Sequence, residues 1–256
     1  MAETRRQAGL AILLASVAGF VDAAGYIVLH GIFVAHVTGD TNLLGQRLGR
    51  GDLPGALPLV AIVGVFLCAV ALVTALVELA TRRRWRSPTV AALALEAALV
   101  AAFMVYGSRL LRNGTIPGHG IGGYYVLLAL AGCAMGPQAA TVTKWGGRTI
   151  RTTYMSGMTT RLAQNAVNAL ARPGRDGEPS YLRDHLGLES RGASARAAVV
   201  YVALWGAFLG GAVLGSWGEL RFGLWTLGFP LGGLVLAVLV DLRRPAVAVP
   251  RNRAGG

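Results

Sequence analysis

The sequence predicts an all-α, polytopic membrane protein of about six transmembrane helices, arranged as two inverted three-helix repeats. Three observations lead there. Of 256 residues, 54% are hydrophobic and only 14% are charged, with a mean hydropathy of +0.54, too apolar for a soluble domain of this length. Residues 57–77 carry no charge, and a helix of that length crosses a hydrocarbon core of about 30 Å at about 1.5 Å per residue. The third observation is a nine-residue stretch that occurs twice.

That stretch, Thr38-Gly39-Asp40-Thr41-Asn42-Leu43-Leu44-Gly45-Gln46, returns as Ser156-Gly157-Met158-Thr159-Thr160-Arg161-Leu162-Ala163-Gln164. The hydroxyl residue, the Gly, the second Thr, a Leu, a small residue and the Gln recur at a constant offset of 118. Upstream, Asp22-Ala23-Ala24 corresponds to Gln138-Ala139-Ala140 at an offset of 116, each preceded by an Ala-Gly pair, Ala18-Gly19 and Ala131-Gly132. Downstream, Gly64-Val65-Phe66-Leu67 corresponds to Gly206-Ala207-Phe208-Leu209 at an offset of 142. The order is kept, and the growth in spacing falls in a polar stretch at 173–196. The whole chain is therefore expected to be one membrane domain made of two copies of one unit, 8–110 and 118–242, with a cytoplasmic loop insertion at 171–196 and a basic tail at 243–256.

Six spans follow from the apolar runs: about 8–35, 56–79, 89–107, 120–143, 197–217 and 222–241. The first is interrupted by Gly19, Gly25 and Gly31 and is expected to be tilted or broken. Arg5 and Arg6 before an apolar run have the form of a signal peptide, but the run passes Ala24 and its pattern returns in the second half, so an uncleaved first helix is expected. With the N-terminus inside, 19 of the 24 Lys and Arg residues fall on the cytoplasmic side, which sets an orientation with both termini cytoplasmic. Three spans per unit then turn the second copy upside down, as in many secondary transporters. The net charge of +12 belongs to Arg residues flanking apolar spans, so the partner it implies is membrane lipid and not nucleic acid. Cys68 and Cys133 lie inside spans and read as packing residues. Gly64, Gly206, Gly210, Gly211 and Gly215 allow close helix contact, and a homodimer through these spans is plausible. A short helix is expected near 181–188.

The polar residues inside the spans are the functional candidates. Asp22 lies about 21 Å into the first span, where a carboxylate costs several kcal/mol unless it is paired or hydrated. It is either a protonatable or cation-binding group, or a carboxylate hydrogen-bonded to a neighbouring helix. Gln138, its mate, follows Pro137 and is either a solute ligand or a plug for the carbonyl freed by the kink. Glu96, among apolar neighbours in the third span, is the second candidate for proton coupling after Asp22. Thr38 and Ser156 read as N-caps of helices that begin in the two motifs. If those helices re-enter the membrane, Thr38, Gly39, Asp40, Thr41, Ser156, Gly157 and Thr159 line a substrate site whose free N–H groups favour a polar or anionic solute; otherwise they are surface turns. Arg161 either pairs with Asp22 or Glu96, or is a positive residue on a cytoplasmic helix. His36, beside the first motif, could titrate near neutral pH. Nothing calls for a metal or cofactor. His30, His36, His119 and His185 show no ligand spacing, and no G-x-S-x-G elbow or P-loop occurs, so an enzyme is not expected.

Gly19-Phe20-Val21-Asp22-Ala23-Ala24-Gly25-Tyr26, the Thr38-Gly39-Asp40-Thr41 turn, and the run from Arg151-Thr152-Thr153-Tyr154 through Met155-Ser156-Gly157-Met158-Thr159-Thr160-Arg161 together resemble the YoaK family of small bacterial integral membrane proteins. The resemblance covers nearly the whole chain. It implies an inner-membrane location and about six helices, with no activity to carry over. One departure is Ala139, where the family often has Asn after the Gln, which weakens a Gln-Asn ligand pair. The expected function is a transporter or permease for a small polar or anionic solute. The alternative is a non-transporting scaffold or sensor whose basic cytoplasmic loop binds a partner or anionic lipid.

Overall fold

The computed structural model describes residues 2–85, 87–112, 122–141, 143–145, 148–150, 153–171, 181–188 and 190–243. Within them six helices form a bundle: α1 (Ala2–Val28), α3 (Leu53–Arg82), α4 (Pro88–Arg112), α5 (Gly122–Ala140), α8 (Arg191–Phe222) and α9 (Gly228–Arg243). Two shorter helices, α2 (Val37–Gly49) and α6 (Met155–Leu170), carry the repeated motifs, and α7 (Tyr181–Asp184) falls in the expected 181–188 stretch. A two-stranded antiparallel hairpin, β1 (Thr143–Trp145) with β2 (Arg148–Ile150), was not anticipated; Thr143 pairs with Ile150. Residues 172–180 and 189 of the expected 171–196 loop and all but the first residue of the 243–256 tail lie outside the described residues, and residues 191–196 are the first turns of α8.

Four helical segments are long and apolar enough to cross a membrane: Thr4–Val28, Leu53–Arg82, Thr89–Arg112 and Arg191–Arg243. The last holds α8 and α9 joined by a 3-10 turn, Gly223–Leu227, in which Gly223 adopts φ +61°, a conformation that costs a residue with a Cβ. The apolar part of α1 is 67% buried against 17% for α3, so α1 is the central helix and α3 turns its apolar side outward, as lipid requires.

The expected first span, 8–35, is not one helix. It runs unbroken through Gly19 and Gly25 and stops at Val28. His30 N–H reaches Ile27 O (3.3 Å) and Gly31 N–H reaches Tyr26 O (2.8 Å), with His30 at φ +54° and Gly31 at φ +93°. This is the left-handed termination that closes the last carbonyls of a helix and reverses the chain. Residues 32–36 then fold back along α1, where Val34 packs against Gly25.

Glycines set the closest approaches. A Cβ on Gly19 would collide with the Phe208 carbonyl of α8, one on Gly211 with the Ser16 carbonyl, and one on Gly215 with Phe20. Between α5 and α3, Gly136 lies against Ala69, and Gly132 against Ile62 and Val65. A Cβ on Gly64, Gly206 or Gly210 would meet nothing within 4 Å among the described residues, so no close helix contact depends on these glycines there. Cys68 is exposed and Cys133 half-buried.

Polar contacts mark the two ends of the bundle. At one end Ser87, before α4, donates to the fully buried Asp241 of α9. At the other, the Tyr124 hydroxyl of α5 donates to Leu29 O (3.3 Å), and the Arg112 guanidinium lies 5.9 Å from the Trp225 ring centre.

Candidate functional site

The chain reversal after α1 builds a compact polar site. Asp22, 4% exposed, accepts through Oδ1 from Val34 N–H (2.9 Å) and Ala35 N–H (2.7 Å), and through Oδ2 from His36 Nδ1 (2.6 Å). The carboxylate thus satisfies the backbone of the returning segment, which would otherwise carry unmade hydrogen bonds in an apolar bundle. Its partners come from its own loop and not from a neighbouring helix. Asp40, 0% exposed, accepts from Phe33 N–H (3.0 Å) through Oδ1, and its Oδ2 meets no partner among the described residues.

Aromatic rings wall this cluster. Tyr26 and Phe33 stack with centroids 4.5 Å apart, Phe33 meets His36 at 5.6 Å, and His36 meets Phe208 edge-on at 5.3 Å. Phe208 is near the middle of α8, so the start of α2 lies about halfway along the bundle. From there α2, about 20 Å long, runs out to the exposed Arg47–Asp52 pair (2.7 Å), where Asp52 caps α3 by accepting from Gly55 N–H (3.0 Å).

The second motif is laid out the same way. The start of α6 packs through Met158 with Ala11 and Ala15 of α1 and with Tyr201 and Leu204 of α8, one helical turn from Phe208. Its far end meets the start of α8, where Asn168 donates to Ser194 Oγ (2.8 Å) and Arg191 to Ala169 O (3.3 Å). The helix caps are His36 and Tyr154, neither making a side-chain cap bond, so Thr38 and Ser156 are not the N-caps expected of them. The recurring glycines have a steric reason: a Cβ on Gly39 would press the Phe33 ring at 3.3 Å, and one on Gly157 would overlap the Tyr154 ring.

The structure gathers Asp22, His36 and Asp40 and leaves the other candidates apart. Thr38 and Ser156 are exposed, and so are Thr41 and Thr159, whose hydroxyls bond the carbonyls of Val37 (2.7 Å) and Met155 (3.0 Å) on their own helices. Arg161 is exposed on α6 and pairs with neither Asp22 nor Glu96 among the described residues. Gln138 is buried and donates through Nε2 to Leu14 O of α1, so it ties two helices together. Glu96 is 0% exposed in α4, and neither carboxyl oxygen has a partner among the described residues. No group of three or more His, Cys, Asp or Glu that could hold a metal ion occurs among them. Sequence reasoning gave His36 no fixed role and passed over Glu219 and Asp241, buried at 8% and 0% exposure. The available signal for His36 was that Asp22 needs a partner and Gly31 lets the chain turn back to supply one.

Long apolar helices, a central helix shielded by the others and carboxyl groups buried inside the bundle define a polytopic α-helical membrane protein. The chain belongs to the family described as a protein of unknown function, DUF1275, whose model matches residues 10–240. It is similar to the UPF0700 transmembrane protein YoaK of Bacillus subtilis (strain 168), 31% identical over 159 residues, a match covering 62% of this chain and 66% of that protein. No solved structure matches.

Proposed function

We propose that the chain is a transporter or permease of the bacterial inner membrane. It would move a small polar or anionic solute by alternately exposing a site near the bilayer midplane between two inverted repeats. One observation carries the reading: α2 and α6 begin about one turn apart along α8, midway through the bundle, and run to opposite ends of it. Half-length helices whose free N–H groups meet at mid-depth are how transporter folds present polar backbone to a solute.

The repeat is supported by register. The shift of 118 that aligns the motifs carries Val37, the first residue of α2, onto Met155, the first of α6. The shifts of 116 and 142 carry Phe20 onto Gly136 and Ala69 onto Gly211, and Phe20 meets Gly211 as Ala69 meets Gly136, each at a tight crossing between one helix of either half. Orientation is supported by charge: Arg82, Arg83, Arg84, Arg191 and Arg243 belong to the end marked by Ser87 and Asp241, which we read as cytoplasmic. Asp22 already sits against the start of α2, so an anionic group of a solute would be drawn to the start of α6. Glu96 is a second buried acid for coupling. No catalytic role, metal or cofactor enters this reading, and a homodimer through the outward-facing Gly206 and Gly210 fits it.

The test is solute uptake by liposomes holding the purified protein, screened over small polar metabolites and anions with and without a pH gradient. Uptake that Glu96→Gln uncouples from the gradient supports the reading. If no solute moves, and only deletion of residues 173–196 has a cellular effect, the chain is a scaffold acting through its cytoplasmic loop.

A further inference from the structure

We propose that Asp40 is the residue of this site that takes up and releases a proton. The purpose of that proton rests on the transport reading, whereas its location stands on local geometry. Asp22 has a donor on each oxygen: Val34 N–H and Ala35 N–H on Oδ1, His36 Nδ1 on Oδ2. Both of its oxygens are therefore already held.

Asp40 is in the opposite position. It is completely buried, holds one hydrogen bond from Phe33 N–H, and keeps Oδ2 without a donor among the described residues. A buried carboxylate with one hydrogen bond, beside a second carboxylate, bears both desolvation and like-charge repulsion, and the neutral acid bears neither. The proton therefore belongs on Oδ2, the oxygen with nothing else to hold. Two neighbouring carboxyl groups in unlike surroundings take different roles in this way.

The groups facing Asp40 are few. Asp22 comes from α1 and His36 from the returning loop, while residues 53–77 of α3 and 197–218 of α8 contain no Asp, Glu, Lys or Arg. The His36 side chain is 30% exposed, so the cluster reaches the protein surface there. In the exchange, a hydronium ion gives its proton to Oδ2, and water or hydroxide takes it back; no other bond changes. The coupling is built in, because Asp40 holds Phe33 N–H and Asp22 holds Val34 and Ala35 N–H, three consecutive amides of one loop. A change of charge at Asp40 is felt by the segment that sets the start of α2.

Infrared difference spectroscopy of the full chain in lipid nanodiscs, taken from acid to alkaline pH, reads the proton directly. As pH rises, the wild type and Glu96→Gln should lose one protonated-carboxyl component that Asp40→Asn lacks, the bands of the other acids being common to all three. Should Asp40→Asn not fold, Asp40→Glu must move the band and its midpoint. A band unchanged in either Asp40 variant, or absent from the wild type, overturns the assignment. A protein that shows the Asp40 band yet moves no solute loses the transport reading and keeps the proton site. Solute flux with a band that ignores Asp40 does the reverse.

Discussion

The two motif helices begin on the same plan but with opposite chemistry. At the start of α2 stand Asp22, His36 and Asp40; at the corresponding positions of the second half stand Gln138, Tyr154 and Met158. Asp22 and Asp40 are buried, as are Gln138 and Met158, whereas Tyr154 is 59% exposed. What the halves share is geometric, a glycine under an aromatic ring and a threonine bonded to its own helix. What differs is every group that can carry charge. The helix geometry therefore does not depend on the acids, and at these positions the acidic groups belong to the first half alone.

The sharpest way to break this comparison is to remove the two mates in turn. Asp22→Ala strips Val34, Ala35 and His36 of their common acceptor and should cost about 3–5 kcal/mol, the usual loss when one partner of a buried charged pair is deleted. Gln138→Ala removes a neutral donor from Leu14 O and should cost about 1–3 kcal/mol. Denaturant unfolding in detergent measures both, and equal losses would mean that the halves are not chemically distinct.

Next come the crossings. Gly211→Leu forces α8 away from the Ser16 carbonyl and should destabilise by about 1–3 kcal/mol or more, whereas Gly206→Leu, facing outward, should stay within about 0.5 kcal/mol in the monomer. A drop for Gly206→Leu that depends on protein concentration would point to a dimer through this face. Asn168→Ala should cost about 0.5–1.5 kcal/mol by cutting the bond to Ser194 that anchors α6, seen as a lower melting temperature. The smallest effects are expected from Thr41→Val and Thr159→Val, each within about 0.5 kcal/mol, with uptake unchanged. A strong loss of uptake in either would make the threonines ligands after all.

Much of the fold was legible because lipid permits few arrangements. Uncharged runs gave the long helices, and the constant offset of 118 gave two motif helices that do begin in register. Asp22 stood out because a carboxylate inside an apolar helix demands a partner. The identity of that partner was not legible: the reversal rests on His30 in a left-handed conformation, which His adopts too rarely to be read from one sequence. Thr41 and Thr159 misled because a recurring polar residue looks like a ligand, yet a threonine hydroxyl on a helix readily turns to the carbonyl four residues back. Ser87 and Asp241 were invisible together, since 154 positions separate them and each reads alone as an ordinary residue at a span end.

Where Gly19 and Gly211 bring α1 and α8 together, main chain rests on main chain. Such a joint has no side-chain volume to compress and no rotamers to rearrange, so the two helices form a single stiff beam. The pair α3 and α5, closed by Gly136 on Ala69, forms another. Each beam takes one helix from either half of the chain. The compliant seams lie between the beams, and mechanically the molecule divides across its sequence halves instead of between them.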